Sequence, residues 1–146
     1  MTKTITPEGA TEIVFKDPIY NTTIVLLTDF DHTKFQEIML TRHDLKTQPL
    51  DPGGAWTIRC GPDDSELLSK FFIAIYWKFT FTPADLALLA HECFHITSHT
   101  LRNRGMNLSN DSEEAFAYHH NFVFQTALTA LKAKPTQPQK PKKKTK

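Results

Sequence analysis

Thr82-Pro83-Ala84-Asp85-Leu86-Ala87-Leu88-Leu89-Ala90-His91-Glu92-Cys93-Phe94-His95 is the stretch from which the rest of this chain is read. A threonine able to cap, a proline at the first helical position and an acid three residues after the cap together mark a helix start. Apolar side chains follow at Leu86, Leu88, Leu89, Phe94, Ile96 and Leu101, and Gly105 supplies the residue best suited to a left-handed closing position. The pattern predicts a long helix over 83 to 104. A second start signal, Ser109-Asn110-Asp111-Ser112-Glu113-Glu114, precedes an apolar series that runs to Leu131 and predicts a second helix.

Upstream, the pattern changes period. Glu12-Ile13-Val14-Phe15 and Thr23-Ile24-Val25-Leu26-Leu27-Thr28 are rich in β-branched and aromatic residues, with the turn formers Asp17-Pro18 and Asn21 between them, so both are expected strands. Phe35, Ile38 and Met39 have the i, i+3, i+4 spacing of a short helix, for which Asp31 is a candidate cap. Two prolines and two glycines between Thr47 and Gly54 make a loop, and Ala55 to Cys60 reads as a strand ended by Gly61-Pro62-Asp63-Asp64. Residues 70 to 80 favour a buried strand, with a helix opening at Asp64 as the alternative. Strands gathered in the first half and helices in the second give an α+β class.

The 146 residues allow one domain with one core. Phe71 to Trp77 is the longest unbroken apolar run and is far short of a bilayer span, so no membrane segment is expected. The N-terminus lacks the apolar core of a secretion signal, which points to the cytoplasm, and two cysteines agree with that. Charge is divided unevenly. Six lysines and no acid lie in 134 to 146; removing them from seventeen basic residues leaves eleven against sixteen acids, a body charge of −5. This Lys/Pro-rich tail is expected to be disordered, with 1 to 133 as the single domain. A solvated terminus accounts for it more simply than nucleic-acid binding, since no aromatic residues interleave the lysines.

His91-Glu92-Cys93-Phe94-His95 matches H-E-x-x-H, a pattern that arises by chance about 0.02 times in a chain of this composition. Its spacing has a chemical use. Residues four apart share a helix face, so two imidazoles can meet at one Zn²⁺, while Glu92 projects beside the metal and can take a proton from bound water. A third protein ligand is required. His99 extends the series but lies about 12 Å along a straight helix from His91, too far for a shared ion. Glu113 and Glu114 are the candidates once 105 to 112 turns the chain. Helix phase, with an apolar arc of Phe116, Phe124 and Leu131, favours Glu113; a capping box with Asn110 would occupy Glu113 and favour Glu114. Tyr118, one turn beyond Glu114, is a candidate for transition-state support or for a hydrogen bond behind the ligands. His119 and His120 read as surface or capping residues, either of which could act as an electrophilic donor, and Cys93 reads as core.

His91-Glu-x-x-His95, then 18 residues, then Glu114-Ala-Phe-Ala, resembles the gluzincin arrangement, in which a glutamate on the following helix completes the zinc site. Zinc aminopeptidases of that clan read Asn-Glu-Gly-Phe-Ala where this chain reads Glu113-Glu114-Ala115-Phe116-Ala117. Leu89-Ala-His-Glu-x-x-His95, Gly105 and Ser112-Glu-Glu-Ala-x-Ala-Tyr118-His more closely resemble small metallopeptidases encoded in tailed-phage genomes. The resemblance implies a zincin-like α+β domain in which His91, His95 and Glu114 bind Zn²⁺ and Glu92 is the base. It further implies a peptide or protein substrate and, for a phage protein, the host cytoplasm. No aminopeptidase substrate motif is present. The alternative expectation is a noncatalytic phage assembly or host-interaction protein in which metal staples the two helices.

Overall fold

The computed structural model describes residues 1–6, 9–49, 55–60, 70–75 and 78–133, and the predicted tail, the 61–64 turn and the alternative helix from Asp64 lie outside them. Five strands, β1 (Thr2–Ile5), β2 (Thr11–Asp17), β3 (Thr22–Thr28), β4 (Ala55–Cys60) and β5 (Lys70–Ile75), form one sheet in the order β1-β2-β3-β5-β4. β1, β2 and β3 form an antiparallel meander, β3 and β5 pair parallel, and β4 closes the described sheet antiparallel to β5. The helices are α1 (Phe35–His43), α2 (Pro83–Arg102) and α3 (Glu113–Lys132).

Both faces of the sheet are covered. Ile13, Phe15, Ile24, Leu26, Phe71, Ile73 and Ile75 pack with Leu89, Cys93 and Ile96 of α2 and Val123, Ala127 and Ala130 of α3. Val25, Leu27, Phe72 and Ala74 point the other way, onto Phe35, Ile38 and Met39 of α1. Burial on two faces explains why β3 and β5 read as continuous apolar runs where a half-exposed strand would alternate. The chain is therefore α+β with three layers, one more than the expectation of a sheet packed on two helices.

Local signals act as expected at α2. Thr82 Oγ1 accepts from the Asp85 amide at 3.2 Å and Asp85 Oδ2 accepts from the Thr82 amide at 3.2 Å, a complete capping box. Asp85 Oδ2 also accepts from the amide and hydroxyl of Thr80, each at 2.9 Å, which ties the helix start to the segment before it. Gly105 sits at φ +76° and its amide donates to Arg102 O, closing the helix two residues earlier than predicted. Asp31 caps a short 3₁₀ turn (His32–Lys34) that leads into α1, and not the expected short helix itself; its Oδ1 accepts from the Thr33 amide at 3.0 Å.

β1 is missing from the sequence reading. Its Thr-Lys-Thr-Ile sequence has no apolar alternation to betray it, because β1 is a mostly exposed edge. Lys3 on this strand donates to Leu131 O at 2.6 Å and Ala133 O at 2.8 Å, placing a cation on the carbonyls at the C-terminal end of α3.

Candidate metal centre

α2 presents its residues to three surroundings. Leu89, Cys93 and Ile96 face the sheet, Thr97 and Leu101 are buried, and His91 and His95 are exposed. His91 Nε2 and His95 Nε2 converge to 3.0 Å, with ring centroids 4.7 Å apart. Tetrahedral bonds of about 2.0–2.1 Å to one zinc would set two donor nitrogens roughly 3.3 Å apart, so the pair fits two positions of such a centre with little movement. One nitrogen of this contact carries the hydrogen and the other the lone pair, and to share a metal both rings would have to carry their hydrogen on Nδ1.

Glu92 reaches the sheet and is only 3% exposed. Its Oε2 accepts a 2.6 Å hydrogen bond from Thr57 Oγ1 on β4, while Oε1 bonds to no described residue. Thr57 Oγ1 also lies 3.1 Å from Glu92 O, but its single hydrogen goes preferentially to the nearer, charged carboxylate. Thr57 is a site residue that sequence reading missed. Nothing local marks it; the contact exists because β4 is added at the outside of the sheet, beside α2.

Cys93 is fully buried, and burial with the Glu92 carboxylate next to it pushes its thiol up, so it is the inert core residue expected. His99 stacks on Phe71, with centroids 6.1 Å apart and planes at 18°, facing the sheet and not the histidine pair.

α3 lies antiparallel to α2. His119 Nδ1 meets Thr97 Oγ1 at 3.1 Å, His120 Nε2 meets Ala90 O at 3.0 Å, and Lys132 lies 5.9 Å above the Phe81 ring, just ahead of the α2 N-terminus. Stepping back along α3 from His119 therefore means stepping forward along α2 from Thr97. By these contacts Glu114 comes level with the stretch from Ile96 to Arg102 of α2. Glu113 and Glu114 are both exposed in the first turn of α3, where their charge complements the helix dipole. No group of three His, Cys, Asp or Glu side chains able to hold one ion occurs among the described residues. The histidine pair thus fits two positions of a metal centre, and the structure brings neither glutamate together with it.

The capping box proposed for Asn110 and Glu113 does not form. Ser112 occupies the cap position without a side-chain cap bond, its hydroxyl engaged with Asn107 O and the Ser109 amide. Tyr118 is 73% exposed, and its position on α3 turns it to solvent.

His119 corrects the expectation of a surface or capping role. It is 4% exposed, and its Nε2 lies 2.8 Å from Oδ2 of the fully buried Asp17 while its Nδ1 meets Thr97. Asp17 Oδ1 in turn accepts from the amides of Ile19 and Tyr20, so one chain of hydrogen bonds joins the β2–β3 turn, α2 and α3. The signal was available: Phe116, His119, Val123, Ala127 and Ala130 form the i, i+3, i+4 series that is buried, in place of an arc through Phe124. His120 is half-buried, stacked on Phe124 with planes at 12° and edge-on to Phe94.

Compared with models of known families, with curated proteins and with solved structures, the chain matches none. Function is read from the site alone. No helix among the described residues is long and apolar enough to cross a membrane.

Proposed function

We propose that the chain is a zinc-dependent metallopeptidase in which His91 and His95 hold the metal and Glu92 is the general base. The observation that carries this reading is the 3.0 Å convergence of two exposed imidazole nitrogens on a helix whose intervening Glu92 carboxylate is anchored by a strand hydroxyl. Bound zinc supplies positive charge that polarises a carbonyl and acidifies water. The protein supplies the remaining parts. Thr57 fixes Glu92 Oε2 and leaves Oε1 to accept the proton of the attacking water and return it to the departing amine.

The test is cleavage of a complex peptide library by zinc-loaded protein, with new termini read by mass spectrometry. Wild type is expected to generate new termini, and Glu92→Gln to generate none while retaining equal zinc. Equal cleavage by the two proteins overturns the assignment of Glu92. Absence of cleavage by both, together with melting of the domain on zinc removal, overturns the peptidase reading in favour of a noncatalytic assembly or interaction protein stapled by metal.

A further inference from the structure

The outward side of α2 around the histidine pair is unusual for a surface helix. From Leu86 to Leu101 the one Asp, Glu, Lys or Arg is Glu92, and it is buried. The exposed residues of this stretch are Ala87, His91, Phe94 and His95, with Phe94 43% exposed. A helix face turned to water ordinarily carries charge, whereas an uncharged face with an aromatic ring has the composition of one that meets another protein surface. The pair sets what that surface must bring. Both converging atoms are Nε2, the outermost nitrogen of each ring, so a shared ion sits at the tips of the side chains, where a second molecule can reach it. Two imidazoles fill two of the four positions that zinc favours, and the described residues bring no third ligand to them.

We infer that one zinc ion joins two copies of this chain through His91 and His95 of each. The inference rests on the reading of these histidines as metal ligands and adds an assembly to it. A two-fold axis through the ion makes the halves identical, so the contact closes on itself as in most homodimers. Its geometry is set by the ion. Side chains four apart lie one above the other along a helix, and the two donor-to-donor edges of a tetrahedron are perpendicular, so the two α2 helices cross at roughly a right angle. That crossing confines the contact to the turns around the ion, including Phe94, and makes it depend on metal. Four imidazoles leave no position for water. The bridged form is therefore a resting state, favoured by scarce zinc and concentrated protein, and the separated chain is the one able to act on a peptide. Excess zinc gives each pair its own ion and separates the copies.

The test is sedimentation velocity of the full chain through a zinc titration, with bound zinc counted in the same samples. The metal-free protein is expected to sediment as a monomer, to double its mass as zinc reaches half an equivalent per chain, and to return to monomer on addition of EDTA. His91→Ala and His95→Ala, both at exposed positions, are expected to stay monomeric with unchanged far-UV circular dichroism. Co²⁺ at half an equivalent is expected to give the intense visible bands of a four-coordinate site. A monomer throughout the titration that still binds zinc through the pair overturns this inference and leaves the metal centre standing. A dimer that forms without zinc, or that survives either substitution, also overturns it. Absence of zinc binding by wild type overturns both the dimer and the metal centre.

Discussion

Replacing His119 by alanine tests whether the buried Asp17–His119–Thr97 chain holds together the two helices that carry the site. The substitution removes a 2.8 Å contact to a carboxylate and a 3.1 Å contact to a hydroxyl, all three side chains being buried. A hydrogen bond to a charged group contributes about 1.5–3 kcal/mol and a neutral one about 1 kcal/mol. The vacated ring adds a cavity, and Asp17 Oδ2 is left facing it. Asp17 Oδ1 keeps the Ile19 amide at 2.8 Å, which limits the damage. The two bonds and the cavity together put the cost at about 3–5 kcal/mol. With a urea dependence of about 2 kcal/mol per molar, the unfolding midpoint is expected to fall by about 2 M with little change of slope. Thr97→Val, which removes only the neutral bond, is expected to cost about 1 kcal/mol. The assay is equilibrium urea unfolding followed by circular dichroism. A loss under about 1 kcal/mol for His119→Ala would refute the reasoning, because it would mean that the chain of hydrogen bonds contributes nothing beyond ordinary packing.

Two further predictions concern stability. Burial alone would raise the Glu12 carboxyl, but hydrogen bonds from His43 and Arg42, together with their charges, outweigh it and bring the group to about 2. A carboxyl depressed on folding stabilises the protein above its unfolded value near 4.5, and that contribution is lost as pH falls from there through about 2. Glu12→Gln is therefore expected to lose about 2 kcal/mol at pH 7 and to flatten the acid limb of the stability curve between those values; an unchanged limb in a pH series of urea melts contradicts this. Thr82→Ala removes the side-chain acceptor of the α2 capping box and is expected to cost about 1 kcal/mol by thermal or urea melt, with Thr82→Ser restoring most of it.

The sequence was most informative where structure is decided locally. The α2 start is legible because Thr82, Pro83 and Asp85 act within one turn, and β4 from 55 to 60 because turn formers bracket its β-branched and aromatic core. What escaped reading depends on how elements meet. β1 is an exposed edge whose residues carry no burial pattern, and the role of Thr57 follows from the place of β4 at the outside of the sheet. The glutamates of the second helix illustrate the same limit. Sequence distance from His95 to Glu114 suggested proximity, yet α2 runs seven residues beyond His95 and the connection to α3 takes ten more, and the structure joins neither glutamate to the pair. His119 was misread for a different reason. A histidine within a buried series was assigned by residue type, although its phase with Phe116 and Val123 pointed inward.

The central claim is that His91 and His95 bind a metal. Its most direct test is the zinc-to-protein ratio by elemental analysis of untagged protein reconstituted with zinc and then dialysed, run beside His91→Ala and His95→Ala. The account predicts a ratio between one half and one that collapses in both variants while their far-UV circular dichroism is retained. A ratio near zero in the unaltered protein, or one that survives both substitutions, would contradict it.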